Sequence, residues 1–157
     1  KLQLAIHTGK VRDLRQEQPA GLTEACQAVV QLLDELRREA NIPWSHVILG
    51  GFSQGAMLTI EVLRHLPERI GGAILFSGTL INETEWRKPC TQLQGLPVVQ
   101  SHGRSDVILP FSLSLELRDL LTSQGADVEF VEFGGGHGVP QPAFQAAISL
   151  IQRVMTG

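Results

Sequence analysis

Apolar residues in this chain alternate between stripes spaced three and four apart and short unbroken runs. From Leu22, the positions Leu22, Cys26, Val29, Val30, Leu33 and Leu36 recur at helical spacing, which predicts an amphipathic helix reaching about Ala40. Arg37 and Arg38 suit its end, where the helix dipole favours cations. Asn41-Ile42-Pro43 stops it, because the residue before a proline is pushed out of the helical region. The run His46-Val47-Ile48-Leu49 then has the unbroken apolar character of a strand buried on both faces of a parallel sheet. Met57, Ile60, Val62 and Leu63 predict a second helix ending near Leu66-Pro67. Further on, residues 73–77, 96–101 and 128–133 read as strands, and residues 113–121 and 142–155 as helices.

Two stretches resist this reading. Residues 1–18 alternate weakly at Leu2, Leu4 and Ile6 before Gly9 and the charged run from Lys10 to Glu17 break the pattern, so they are expected to be mostly loop. Residues 78–94 show no clean period and contain Trp86, Pro89 and Cys90, which suggests an excursion over the surface or the mouth of a pocket. Elsewhere strands alternate with helices, implying βα units and an α/β fold with a mostly parallel sheet and helices on both faces. No repeat, low-complexity tract or linker interrupts residues 1–157, which read as a single domain.

Composition narrows the partners. With 43% hydrophobic residues and 157 residues in all, the chain is globular and long enough for a sizeable core. Its net charge of −3 comes without a basic cluster, so nucleic acid and anionic membrane surfaces are not expected. No apolar run approaches the roughly 20 residues of a membrane helix, and nothing resembles a signal peptide. Cys26 and Cys90 read as two reduced thiols of a cytoplasmic protein rather than a disulfide framework. The absence of C-x-x-C and of a histidine pair at ligand spacing argues against a metal. The chain begins at Lys1 without an initiating Met and is expected to be a piece of something longer.

The chemistry centres on Leu49-Gly50-Gly51-Phe52-Ser53-Gln54-Gly55-Ala56, which contains G-x-S-x-G between a predicted strand and a predicted helix. In that context the motif is a nucleophile elbow. Its turn is so sharp that the serine must take a strained backbone conformation, and Gly51 and Gly55 are expected because a Cβ there would collide with neighbouring backbone. Ser53 then stands above the sheet beside the unpaired N–H groups of a helix N-terminus.

A serine nucleophile needs a base, and the base needs a carboxylate to orient it, all at the C-terminal edge of the strands. Asp106 lies in the loop His102-Gly103-Arg104-Ser105-Asp106 after one strand, and His137 in Gly134-Gly135-Gly136-His137-Gly138 after the last. The order Ser53, Asp106, His137 is that of an α/β-hydrolase. Each has an ordinary alternative: Ser53 as a helix cap, Asp106 as a turn residue, His137 as a surface histidine. His7 falls in the unpatterned start, His46 opens a strand below the active edge, and His65 sits at a helix end. His102 is expected to make structural hydrogen bonds. Glu132 is the alternative acid, but it lies inside a strand.

These residues resemble those of the bacterial phospholipase/carboxylesterase family, relatives of the acyl-protein thioesterases within the α/β-hydrolases. The likeness is carried by Leu49 to Gly55, by Phe76-Ser77-Gly78, by His102-Gly103 with Asp106 and Pro110, and by Gly136-His137. It runs from about Gly21 to the last helix. Ala56 stands where members of the family often have a further glycine. The resemblance implies a cofactor-free serine esterase acting on short or medium acyl esters, with lysophospholipids and acyl thioesters among the candidates. It also implies first strands and a His-Gly loop, supplying one oxyanion N–H, upstream of anything recognisable here, so the α/β-hydrolase domain is expected to be N-terminally incomplete. Gln54 N–H is the remaining expected oxyanion donor.

The expected reaction is acyl transfer to water through an acyl-enzyme on Ser53, with His137 as base and Asp106 orienting it. Leu80, Ile81, Ile108, Leu109 and Val139 are candidates to line an acyl groove, with ordinary core packing as the alternative for each. Two other readings stay open: a non-catalytic α/β-hydrolase-like protein that binds acylated ligands, and a lactone or peptide hydrolase on the same residues. The sequence leaves the oligomeric state open, and a weak homodimer would be unsurprising.

Overall fold

The structure, a computed structural model, describes residues 15–156. The expected loop therefore lies largely outside the described residues, and so does His7. Helix α1 spans Leu22–Ala40, and a 3₁₀ turn at Trp44–His46 leads into β1, Ile48–Phe52. Then come α2, Gln54–His65; β2, Gly72–Phe76; the short α3, Glu83–Trp86; and a second 3₁₀ turn, Thr91–Leu93. The chain closes with β3, Pro97–Gly103; α4, Phe111–Ser123; β4, Asp127–Phe133; and α5, Gln141–Thr156.

Among the described residues, four strands lie in the order β1-β2-β3-β4, and every pairing between them is parallel. Neighbours in sequence are thus neighbours in space, and all C-terminal strand ends emerge along one edge. Helices α1, α2 and α4 bury Cys26, Ile60, Leu63 and Leu117 against one face, where Ala73, Leu75 and Val98 join the same cluster. On the other face α5 seats Ala146 and Leu150 against Val99, flanked by Ile74, Phe76 and Val131. Alternate residues of each central strand serve opposite faces, as the two-residue side-chain period requires.

The first strand begins later than its apolar run suggests. Pro43 starts the 3₁₀ turn, and Val47 N–H donates back to the Trp44 carbonyl at 3.0 Å. Pairing with β2 instead runs from Ile48 through Gly50 and Gly51 to Phe52. Strand β3 continues two residues past its expected end, carrying His102 and Gly103 into register with Glu132 and Phe133. Leu36, placed by spacing in the apolar stripe of α1, is 52% exposed.

Residues 78–94 border a cavity, as one of the two expectations had it, and are anchored in the core as well as exposed along one side. Leu80, Ile81, Trp86 and Leu93 are each no more than 2% exposed. Helix α2 holds the segment by polar contacts that no local period reveals. Arg64 donates to the carbonyls of Glu85, Trp86 and Lys88 at 2.9, 3.0 and 2.8 Å, and the buried Trp86 indole N–H donates to Glu61 Oε2 at 2.6 Å. Replacing Trp86 by Phe keeps most of the buried area but strips a buried carboxylate of its donor. A hydrogen bond to a charged group contributes about 1.5–3 kcal/mol, so Trp86→Phe should lower unfolding free energy by about 2 kcal/mol in urea denaturation.

Candidate active site

The chain passes from β1 into α2 through a single residue. Ser53 has φ 56° and ψ −118°, a left-handed backbone that costs an L-residue about 1–3 kcal/mol and persists only where surroundings impose it. Its N–H donates to the Phe76 carbonyl of β2 at 2.7 Å, and its own carbonyl accepts from Ala56 N–H at 3.1 Å. Strand and helix cross so closely that a Cβ on Gly51 would lie 2.2 Å from the Gly55 carbonyl carbon. The same reason does not extend to Gly55, where an added Cβ meets nothing within 4 Å. Ala56, fully buried, fills the space opposite Gly78, whose own Cβ would come 2.8 Å from that of Ala56.

Two further loops converge on Ser53. From the end of β4, His137 brings Nε2 to 2.9 Å from Ser53 Oγ. Its Nδ1 lies 2.7 Å from Asp106 Oδ2, on the loop after β3. A carboxylate at Nδ1 selects the tautomer that donates there, which leaves the Nε2 lone pair facing the serine hydroxyl. Asp106 is 8% exposed. Its other oxygen, Oδ1, accepts the N–H groups of Ile108 and Leu109 at 2.8 and 2.9 Å, which pins the carboxylate plane. The Phe52 ring packs on the imidazole with centroids 4.8 Å apart.

The glycine-rich loop carrying His137 is clamped from two sides. Ser105 N–H donates to the Gly135 carbonyl at 3.0 Å and Arg104 N–H to that of Phe133 at 2.8 Å. A Cβ on Gly103 would sit 2.2 Å from the Gly136 oxygen. From the far side, the fully buried Ser77 donates its hydroxyl to the Gly138 carbonyl at 2.9 Å. Ser77 has φ 50° and was not expected to have a role of its own. A Ser-Gly pair ending a strand was the only local sign.

The remaining candidates separate. Glu132, inside β4, is ion-paired with Arg104. His46 lies in the 3₁₀ turn and His65 ends α2, with Nδ1 2.8 Å from the Glu61 carbonyl. Gln54 is the first residue of α2, where backbone N–H groups have no acceptor one turn back. Leu80 and Leu109 are 0% and 1% exposed and belong to the core, as does Ile81, so they present no surface to a ligand. Ile108 and Val139 remain half-buried near the loops, and the neighbouring Val107, 89% exposed, was not foreseen. Cavities of about 640 and 550 Å³ border α1, α2 and the 78–94 segment, and neither is lined by Ser53, Asp106 or His137.

A family model described as phospholipase/carboxylesterase matches residues 9–155. The chain belongs to the phospholipase/carboxylesterase family. The match begins upstream of Gly21, the point from which the motifs carry the resemblance. Acyl-protein thioesterase 1 of Eremothecium gossypii is 35% identical over 104 residues, covering 66% of this chain and 44% of the relative. That of Candida albicans is 25% identical over 141 residues, covering 86% and 61%. The chain thus spans about half the length of these curated relatives, and their fungal origin makes the likeness wider than the bacterial branch expected. Among solved structures, esterase PE8 superposes with a TM-score of 0.78 at 26% identity, over 90% of this chain and 67% of that one. Arabidopsis thaliana SOBER1 gives 0.78 at 23% identity, over 93% and 72%, and shares the α/β-hydrolase fold.

The elbow makes a paired prediction for this family member. Gly51→Ala forces backbone apart and should lose at least about 2 kcal/mol of unfolding free energy. Gly55→Ala occupies open space in a helix and should leave stability unchanged or raise it by up to about 1 kcal/mol. Urea denaturation of the two variants in parallel checks both.

Proposed function

We propose that this chain carries the catalytic centre of a serine carboxylesterase that hydrolyses short- to medium-chain acyl esters, with acyl thioesters as a related substrate class. The observation that carries the reading is the continuous hydrogen-bonded relay from Asp106 through His137 to Ser53, at 2.7 and 2.9 Å. His137 takes the hydroxyl proton as Ser53 Oγ attacks the acyl carbon, Asp106 stabilises the imidazolium, and Gln54 N–H faces the developing oxyanion. The imidazolium then protonates the departing alcohol or thiol. Water, deprotonated by the same imidazole, releases the acid and restores Ser53.

The names of the acyl-protein thioesterase relatives support the thioester side of this reading, and the esterase named among the solved structures supports the ester side. The free Cys26 does not compete for the nucleophile's part: burial pushes its thiol up to about 11, where it stays protonated and inert. Unpaired thiols also suit the cytoplasm. Among the described residues no helix is long and apolar enough to cross a membrane. A second oxyanion donor, of the kind expected upstream in the family, would add about 10²- to 10³-fold in rate.

Incubation with a fluorophosphonate, read by intact mass, should label the chain once at Ser53. Ser53→Ala and His137→Ala should both stay unlabelled while remaining folded. Labelling that survives Ser53→Ala would overturn the assignment, and absence of labelling in the folded parent would favour a binding protein. In the hydrolysis assay, Asp106→Asn should cut kcat by about 10³- to 10⁴-fold by stabilising the wrong imidazole tautomer.

A further inference from the structure

We propose that His102 is a positioning residue for the proposed acid Asp106, acting by closing the turn that aims Asp106 Oδ2 at His137. This rests on the hydrolase reading above, because it gives His102 a task only within that relay.

His102 is 0% exposed and sits near the end of β3, four residues before Asp106. Its Nε2 lies 3.0 Å from the Leu109 carbonyl and 3.3 Å from Asp106 Oδ2. A carbonyl partner requires Nε2 to carry the proton, so this one N–H donates to the far end of the turn, with the Asp106 carboxylate lying close beside it. Leu109 is thereby held at both of its backbone polar groups. Its N–H donates to Asp106 Oδ1 at 2.9 Å, while its carbonyl is tied back to His102. With Oδ1 of Asp106 held by the Ile108 and Leu109 N–H groups and His102 closing the turn behind them, Oδ2 is left facing His137 Nδ1.

The ring's surroundings keep it a neutral donor. It faces the Asp106 carboxylate, the His137 imidazole, the backbone at Leu109 and Gly78, and the Phe111 ring with centroids 6.2 Å apart. Burial is the main influence and pushes its pKa below the ordinary 6.5; the Leu109 carbonyl and Asp106 pull upward without overcoming it. A charged His102 would compete with His137 for the same carboxylate. A neutral one orients Asp106 and leaves its charge to the catalytic imidazole.

The test compares His102→Gln, whose longer amide reaches toward the Leu109 carbonyl, with His102→Asn, which stays polar but falls short, and His102→Leu, which has no donor. A small misplacement of a catalytic group can cost about 10²-fold, so the Asn and Leu variants should lose about 10- to 100-fold in kcat. KM should move by less than about threefold, since substrate binding is not touched. The acidic limb of kcat/KM should move to lower pH in both, because His137 loses part of its aligned counter-charge. His102→Gln should restore most of the activity and the parent limb.

Proton NMR supplies a readout independent of turnover. The far-downfield resonance of His137 Nδ1–H bonded to Asp106 should persist in the parent, in Ser53→Ala and in His102→Gln, and weaken or shift in His102→Asn and His102→Leu. If His102→Asn keeps parent kcat and an unshifted resonance, the proposal is overturned whether or not the Leu variant folds. A parent that neither turns over substrate nor takes the fluorophosphonate defeats the esterase reading instead, and the resonance then decides the positioning role alone.

Discussion

The sharpest constraint in this molecule is the distance at which α2 leaves β1. The turn allows a single residue between strand and helix, and that residue must accept a left-handed backbone. Everything near Ser53 is arranged to impose it: the bare Gly51, the Phe76 carbonyl that receives the Ser53 N–H, and the first turn of α2 folding back on the Ser53 carbonyl. A strained residue survives when its neighbours over-determine it. The reward is placement, since Oγ stands clear of the sheet beside the open N–H groups of a helix N-terminus.

The parallel sheet does the rest of the assembly. Because β1, β3 and β4 all run the same way, their trailing loops emerge along one edge. Ser53, Asp106 and His137 meet there without any one loop reaching far. The loop bearing His137 is rich in glycine, so ordering it costs more backbone entropy than ordering other residues would. Its order is supplied from outside, by Ser105, Arg104 and Gly103 on one flank and Ser77 on the other. The proposed base is held by its neighbours' backbone groups more than by its own segment.

Local patterns made much of this legible. Helical spacing located α1, α2, α4 and α5 to within a few residues, and short apolar-rich stretches located β2, β3 and β4. Ser53, Asp106 and His137 could be named because each follows a strand in an order a parallel sheet brings together. What escaped notice depends on contacts distant in sequence. The 78–94 segment has no period because Arg64 and Glu61, on another element, satisfy its carbonyls and its indole. Leu80 and Leu109 look like pocket residues by position, but core packing around them decides otherwise. Gly55 shares its motif with Gly51 but not its crowding.

The proposed relay also has a bearing on how reactivity appears as the chain folds. Ser53 and His137 are separated by 84 residues and Asp106 and His137 by 31, and the last partner follows the final strand of the sheet. Contacts this remote in sequence form only after much of the chain has paid its loop-closure entropy. A nascent or partly opened chain would hold a serine hydroxyl of ordinary reactivity, with its activating base still adrift. Hydrolytic power would switch on with the docking of β4, so a misfolded copy would be chemically silent rather than an indiscriminate esterase.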